Sequence, residues 1–246
     1  MGKTGIGQPP QRSARARLRN SYDRLWSQTV GKIRTGNLEL DWVLAVRGPD
    51  RRRGLTLIGR PGAEVRRRVA VFLSELRELE PDQYYYHPTE FHLTVLSLFT
   101  ATLEHGPHFA KTERYVSAVD SALRQAAPIR IEFEGITASA GALMIQGFLE
   151  NDELNDLRDN LRRQLRVRRL AAGLDQRYRL ETAHMTVARF RAPLRDSERF
   201  ADALERARDR PFGDARIAGL SLVKHDWYMS RHITETLKRY RLPEPA

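Results

Sequence analysis

The order of predicted elements repeats in the two halves of this chain, and this repeat constrains the fold more than any other feature. Short apolar segments typical of strands alternate with amphipathic segments typical of helices, in the order strand, helix, strand, helix, strand. In the first half these elements span residues 54–59, 65–79, 90–99, 109–125 and 129–136. In the second half they span residues 142–150, 151–165, 178–190, 197–208 and 215–229. An internal duplication of about 90 residues explains this order and predicts two similar lobes.

A basic segment precedes the repeat. Apolar residues recur at helical spacing from Leu18 to Ile33, which predicts an amphipathic helix over residues 13–33. Residues 42–48 and 54–59 are both apolar and flank the polar segment 49–53, a pattern that predicts a β-hairpin. We therefore expect an N-terminal helical extension (1–40) followed by one domain (41–246). The lobes of that domain are expected at about 41–137 and 138–246, with strands exchanged between them.

The middle strand of each half carries the same short pattern, a histidine and a threonine two residues apart followed by an apolar residue. The first copy is HLTV at 92–95, and the second is HMTV at 184–187. Alternate side chains of a strand share a face, so His92 and Thr94 lie side by side, roughly 6–7 Å apart, as do His184 and Thr186. A lone histidine on an apolar strand is more often a packing residue than a catalyst. Two copies on equivalent strands instead predict a cleft where two imidazoles and two hydroxyls converge.

These four side chains suit the chemistry of a phosphodiester. Such a reaction needs a base to activate the incoming oxygen and an acid to protonate the departing one. Histidine, with an ordinary pKa near 6.5, performs either role at neutral pH. Threonine hydroxyls donate hydrogen bonds to the non-bridging phosphate oxygens, whose charge must be held through the transition state.

The paired motifs within a duplicated α+β chain resemble the 2H phosphoesterase superfamily, which includes the bacterial RNA 2′,5′-ligase and cyclic phosphodiesterase group. The resemblance covers about residues 54–242. HMTVARF (184–190) is similar to the second motif of that family, and LSLVKHDWYMSRHITETLKRYRL (220–242) is similar to its closing strand and tail. The resemblance implies an α+β fold with a bilobal pseudo-two-fold duplication, in which two antiparallel sheets face a central cleft with helices outside.

The resemblance also implies an activity. The expected enzyme hydrolyses 2′,3′-cyclic phosphate ends of RNA or nucleotides, or 2′–5′ phosphodiester linkages, and needs neither a metal nor another cofactor. Its catalytic histidines correspond to His92 and His184, and its phosphate-binding hydroxyls to Thr94 and Thr186. Which histidine is the base is left open, as is the choice between hydrolysis and ligation. A non-catalytic module that binds RNA ends is the alternative from a different functional class.

Other residues near the motifs are candidates for substrate contact. Tyr86 and Tyr228 carry aromatic rings that can stack on a nucleobase, with hydrophobic packing as the alternative. Lys224, late in the last predicted strand, is a candidate for contact with an anionic group, and His225 is a weaker one. Regular alternation places Arg189 on the face opposite the second motif histidine, where we expect a structural salt bridge.

The composition limits the classes of function. The formal net charge of +11 attracts polyanions, and nucleic acid is the commonest such partner. Solvated arginine faces without a functional role are the alternative explanation. The chain has no cysteine, which excludes disulfides, thiolate catalysis and cysteine-based zinc sites. No apolar run approaches the roughly 18–20 residues that span a bilayer. We expect a cytoplasmic monomer that binds an RNA end or a nucleotide and no membrane.

Overall fold

The computed structural model describes residues 11–46, 48–174 and 179–243. The first ten residues of the predicted extension and the start of the predicted strand 178–190 lie outside the described residues. The helices are α1 (Gln11–Arg34), α2 (Trp42–Ala45), α3 (Ala63–Leu79), α4 (Gly106–Phe109), α5 (Thr112–Leu123), α6 (Glu153–Val167) and α7 (Ser197–Arg206). The strands are β1 (Arg53–Gly59), β2 (Tyr84–Tyr85), β3 (Leu93–Thr102), β4 (Ile129–Ser139), β5 (Ala142–Leu149), β6 (Met185–Arg189), β7 (Pro211–Ile217), β8 (Gly219–His225) and β9 (Glu235–Arg241).

The strands form two antiparallel sheets. The four-stranded sheet has the order β3-β1-β8-β9, and the five-stranded sheet has the order β2-β6-β5-β4-β7. The first half contributes β1 and β3 to one sheet and β4 to the other, and the second half contributes β5 and β6 to one sheet and β8 to the other. Each half therefore contributes strands to both sheets, with β4 of the first half in the five-stranded sheet and β8 of the second half in the four-stranded sheet. The predicted fold class, two antiparallel sheets related by a pseudo-two-fold duplication, is confirmed.

The helices cover the sheets through apolar stripes at helical spacing. On α3 the buried residues are Val65, Val69, Phe72, Leu73 and Leu76, and on α6 the leucines from Leu154 to Leu165 are buried in the same way. The predicted helix 13–33 is present as α1, and it packs on β4 and β5. Its Tyr22 is completely buried. None of the described helices is both long enough and apolar enough to cross a membrane.

The predicted strand at 42–48 is wrong. Residues Trp42–Ala45 form a short helix, and the carboxylate of Asp41 caps it by accepting a hydrogen bond from the Leu44 amide. Residues 42–48 could not pair with β1 as a hairpin, because β1 already pairs with β3 on one side and with β8 on the other. Arg47 lies outside the described residues.

Two other predicted strands are shorter than their apolar patterns. The predicted strand 215–229 is two strands, β7 in the five-stranded sheet and β8 in the four-stranded sheet. The chain changes sheet at Ala218, between β7 and β8, and residues 226–229 form a turn after β8. The predicted strand 178–190 is regular only over β6. The backbone carbonyls of Glu181 and Thr182, which precede it, accept hydrogen bonds from the side chain of Arg158.

Candidate active site

A cavity of about 220 Å³ takes side chains from both sheets. His92 and Thr94 line it at the start of β3, and His184 and Thr186 line it at the start of β6. The other polar and aromatic side chains around it are Thr56, Tyr86, Ser97, Thr100, Arg189, His225, Trp227 and Tyr228. The structure therefore brings the four motif side chains predicted from the sequence together in one cavity.

The ring of His92 is oriented by a backbone carbonyl. Its Nδ1 lies 2.7 Å from the carbonyl oxygen of Glu90. A carbonyl only accepts hydrogen bonds, so Nδ1 carries the proton, and in the neutral ring Nε2 presents a lone pair. The pKa of His92 is lowered to about 4, chiefly by burial and also by Arg60, His225 and His184, although the hydrogen bond to the Glu90 carbonyl raises it in part. At pH 7, His92 is therefore a neutral base.

The ring of His184 is oriented by a side chain instead. Its Nδ1 lies 2.8 Å from the hydroxyl oxygen of Thr182. A hydroxyl donates or accepts, so this contact permits either tautomer of the neutral ring and also the protonated ring. Burial, followed by the positive charge of Arg158, lowers the pKa of His184 to about 4. The two histidines thus share a low pKa but differ in the hydrogen-bond partner of Nδ1, which is a backbone carbonyl for His92 and a hydroxyl for His184.

The hydroxyls of Thr94 and Thr186 are available for a ligand. Both side chains are partly exposed in the cavity. Among the described residues, neither hydroxyl has a hydrogen-bond partner, whereas the Thr94 carbonyl accepts from Arg158. A hydroxyl in this state can donate to an anionic oxygen without breaking a protein contact.

A β-bulge follows the threonine in both motif strands. Opposite Leu57 and Ile58 of β1 stand Leu96 and Thr94, so Val95 is an extra residue in β3. The ladder between β5 and β6 shifts at the equivalent point and leaves Val187 as the extra residue. A bulge reverses the alternation of side chains beyond it. As a result, Ser97 and Arg189, each three residues after the motif threonine, join the cavity face.

The prediction that Arg189 lies opposite His184 in a salt bridge is therefore wrong. Arg189 lines the cavity, and its Nε donates a 2.9 Å hydrogen bond to the hydroxyl of buried Tyr86. That prediction requires regular alternation along the whole strand, and the bulge at Val187 breaks the alternation. Ser97 follows Thr94 by three residues, and Arg189 follows Thr186 by the same number. This equal spacing is the one signal in the sequence that marks Ser97 and Arg189 as equivalent positions.

The family model of the 2′-5′ RNA ligase superfamily matches residues 65–227. The chain belongs to this superfamily, the 2H phosphoesterases. Solved structures share the fold of this chain. The structure of TT0787 of Thermus thermophilus is 19% identical in sequence, with a TM-score of 0.55, and the match covers 78% of this chain and 100% of TT0787. A protein described as a phosphoesterase has 15% identity and a TM-score of 0.53, and Escherichia coli LigT complexed with ATP has 16% and 0.51, each covering 78% of this chain and 99% of its own. No curated protein matches the chain.

A third histidine in this 2H phosphoesterase occupies the wall of the cavity. The Nδ1 of His225 donates to the carbonyl of Asp226 at 2.5 Å, so its Nε2 accepts from the hydroxyl of Thr56 at 2.7 Å. The oxygen of Thr56 in turn accepts from Ser97 at 3.1 Å. Burial lowers the pKa of His225. Both of its nitrogens are occupied in the neutral state, so we assign this histidine to the support of the cavity wall.

Aromatic rings and arginines form one rim of the cavity. The hydroxyl of Tyr228 donates to Asp41 at 2.6 Å, which ties the rim to the segment before α2. The guanidinium carbon of Arg52 lies 4.6 Å from the centroid of the Trp227 ring, and Arg52 forms an ion pair with Asp50. Sequence reasoning did not identify Trp227 or Arg52, because the first lies beyond β8 and the second in a polar turn.

Lys224 does not line this cavity. Alternation along β8 points His225 into the cavity and Lys224 away from it. The ammonium of Lys224 lies 4.9 Å from the centroid of the Phe109 ring and 4.0 Å from the carboxylate of Glu235. Lys224 is therefore placed outside the cavity that holds the two motifs.

The charge of the lining favours an anion. The titratable lining residues are three histidines, one arginine and two tyrosines, and the described lining includes no carboxylate. Arg189 keeps its charge because Tyr86, Asp41 and Tyr228 raise its pKa against the effect of burial. Among the described residues, no three of His, Cys, Asp or Glu are grouped as a metal site.

Proposed function

We propose that this protein is a metal-independent phosphoesterase acting on ribose 2′,3′-cyclic phosphate ends of RNA or nucleotides, or on 2′–5′ phosphodiester linkages. The observation that carries the proposal is the convergence of His92, Thr94, His184 and Thr186 in one cavity whose described lining has no carboxylate. Membership of the 2′-5′ RNA ligase superfamily supports it. The crystal structure of the similar LigT holds ATP, and this supports a nucleotide as the ligand class.

In the proposed hydrolysis, one neutral histidine accepts a proton from water as the water oxygen attacks the phosphorus of the cyclic phosphate. The bond from phosphorus to one ribose oxygen breaks, and the other histidine, protonated, donates its proton to that oxygen. The product is a phosphate monoester with a free neighbouring hydroxyl. The two imidazoles exchange protonation states over the reaction, so the same pair serves the reverse direction.

The remaining side chains of the cavity hold the phosphate and the nucleoside. The hydroxyls of Thr94 and Thr186 donate to the non-bridging oxygens, and Arg189 supplies the positive charge that faces them. Tyr86 fixes the guanidinium of Arg189 through its hydroxyl. Tyr228, on the rim, offers a ring for contact with a base.

Ligation is a second activity of the same site, and the superfamily model favours including it. A 5′-hydroxyl in the place of water attacks the cyclic phosphate, the 3′ oxygen leaves, and a 2′–5′ linkage forms. The atoms that gain and lose protons are the same as in hydrolysis. The ratio of the two products depends on whether water or a second RNA end occupies the position of the attacking oxygen.

The test is turnover in the presence of EDTA with nucleoside 2′,3′-cyclic phosphates, with 2′–5′-linked oligoadenylate, and with RNA halves carrying a cyclic phosphate and a 5′-hydroxyl. We expect His92→Ala and His184→Ala each to lower kcat by about 10²- to 10⁴-fold. His232→Ala is the control, since His232 is exposed and outside the cavity. Folded protein that is inactive on all three substrates would refute the substrate class, and RNA binding without turnover would favour the binding module. Activity that survives both substitutions would refute the mechanism.

A further inference from the structure

The two His-x-Thr motifs lie on strands that are not hydrogen-bonded to each other. β3 is the edge strand of one sheet, and β6 belongs to the other sheet. Proton transfer through two imidazoles requires their separation to be fixed, because a misplacement of 1 Å costs about 10²-fold in rate. The backbone ladders fix each motif within its own sheet. A different contact must therefore set one motif relative to the other.

The side chain of Arg158 on α6 makes such a contact. It is completely buried. On the side of the first motif, its Nε donates to the carbonyl of Val95 at 2.9 Å and its Nη2 to the carbonyl of Thr94 at 3.0 Å. On the side of the second motif, its Nη1 donates to the carbonyl of Glu181 at 3.2 Å and its Nη2 to the carbonyl of Thr182 at 2.9 Å. One guanidinium thus bonds the backbone of both motif segments.

The local backbone is shaped to receive this guanidinium. Consecutive carbonyls of a regular strand point to opposite edges. The bulge at Val95 allows the carbonyls of Thr94 and Val95 to be reached by the same group. On the other side, the strand ladder of β6 begins only at Met185, so the carbonyls at 181 and 182 are not used by a neighbouring strand. Only arginine carries a planar fork of five N–H donors for such a set of acceptors.

The contacts of Arg158 lead directly to the candidate catalytic groups. Thr94 is itself one of the proposed phosphate-binding residues. Thr182 holds the Nδ1 of His184 through its hydroxyl at 2.8 Å. A shift of the guanidinium would therefore move the Thr94 backbone on one side and the orienting partner of His184 on the other.

We propose that Arg158 is a positioning residue that sets the separation and orientation of the two motifs by clamping four backbone carbonyls. This inference rests on the proposed function for its kinetic readout and on the structure alone for its spectroscopic readout. Arg158 does not line the cavity, so its effect on the reaction passes through the motif backbones.

The kinetic test compares Arg158→Lys with Arg162→Lys. Arg162 is also buried on α6, four residues further on, but its side chain donates to Asp159 and to the carbonyl of Leu180 rather than to the four carbonyls that Arg158 holds. We expect Arg158→Lys to lower kcat by about 10²-fold with KM within about threefold of wild type, since the lining side chains are intact. Arg162→Lys should lower the melting temperature about as much as Arg158→Lys does, but it should keep kcat within about threefold of wild type. Addition of guanidinium ion, well below unfolding concentrations, should restore activity to Arg158→Ala and not to Arg162→Ala.

A nuclear magnetic resonance measurement on the wild-type protein tests the clamp without any variant and without catalytic turnover. The Nε proton of Arg158 should be protected from solvent exchange and should show nuclear Overhauser contacts to residues of both motif segments. Fast exchange of that proton, or contacts to one segment only, would overturn the proposal. Equal kcat in Arg158→Lys and Arg162→Lys would also overturn it. An inactive wild-type protein would refute the proposed function, while the exchange measurement would still decide whether Arg158 clamps both motif segments.

Discussion

Binding of a divalent anion between the two motif histidines should be coupled to the uptake of a proton. The pKa of His92 and that of His184 are each lowered from 6.5 to about 4, chiefly by burial in the cavity. At pH 7 only about one imidazole in 10³ is then protonated, and charging one costs about 3 kcal/mol more than in water. An anion seated between the rings offsets this cost, because an opposite charge nearby favours the protonated form. The acid required by the mechanism therefore forms when the phosphate group binds.

Sulfate is the appropriate probe, since it stays divalent over the whole pH range of the experiment. If bound sulfate returns one histidine to its ordinary pKa of 6.5, linkage gives an affinity that rises about 20-fold from pH 7 to pH 5. Calorimetric titration in two buffers of different ionisation enthalpy should show close to one proton taken up per sulfate at pH 5.5. The imidazole carbon-bound protons of His92 and His184 report which ring is charged by their chemical shifts.

The control for this experiment is the double variant His92→Asn/His184→Asn, which should bind sulfate with little dependence on pH. His232→Ala should behave as wild type, because His232 is exposed and away from the cavity. A wild-type sulfate affinity that is constant from pH 5 to pH 7, with no proton uptake, would refute the reasoning. It would mean that the acid of the reaction is charged in some other way.

Three further outcomes follow from the same contacts. Because the pKa values of His92 and His184 are lowered in the folded protein, the unfolded chain binds more protons than the folded one between about pH 4 and pH 6.5. The free energy of unfolding should therefore fall as the pH drops through this window. Urea unfolding should show a smaller fall for the double variant His92→Asn/His184→Asn than for wild type. Arg189→Ala should raise KM at least about tenfold, because it removes a charge-assisted contact to the phosphate. Lys224→Ala, the control, should leave KM unchanged in the same assay. Equal effects of the two substitutions would contradict the placement of Arg189 inside the cavity and Lys224 outside it. Tyr22→Phe should lower the free energy of unfolding by about 1–3 kcal/mol, because the buried hydroxyl bonds the backbone of β5 and of the residue before His184, and an unchanged denaturation midpoint would contradict this.

The repeat made the two lobes and the four motif residues predictable, and the resemblance to the 2H phosphoesterase superfamily implied the two antiparallel sheets. Periodicity identifies which segments are strands and helices, and the duplication predicts that equivalent strands occupy equivalent places. His92 and His184 could therefore be assigned to one cavity without knowledge of any contact. The order of strands within each sheet was not predictable, because pairing depends on contacts between residues far apart in the chain, such as β1 with β8.

The errors have local physical causes. Arg189 was placed on the wrong face because a single extra residue at Val187 reverses the alternation, and a bulge leaves no compositional trace. The segment around Trp42 was assigned to a strand because its residues are apolar, although Asp41 caps a helix there and no free strand edge exists beside β1. The candidate Lys224, late in the last predicted strand, does not line the cavity, because the alternation along β8 directs the neighbouring His225 inward.

The duplication supplies paired groups, but the proposed reaction needs two unlike partners. His92 is paired with His184 and Thr94 with Thr186, so these two pairs alone would give the phosphate two equivalent faces. The pair that follows the bulges differs, with a hydroxyl at Ser97 on one side and a guanidinium at Arg189 on the other. The contacts to Nδ1 differ as well, since a carbonyl holds His92 and a hydroxyl holds His184. We therefore expect the substrate to bind in one orientation, with its negative charge directed toward Arg189, and the opposite protonation states of the histidines to follow from that orientation. Arg189→Ser, which makes the third pair alike, should accordingly reduce kcat as well as raise KM, and a change in KM alone would show that orientation is set elsewhere.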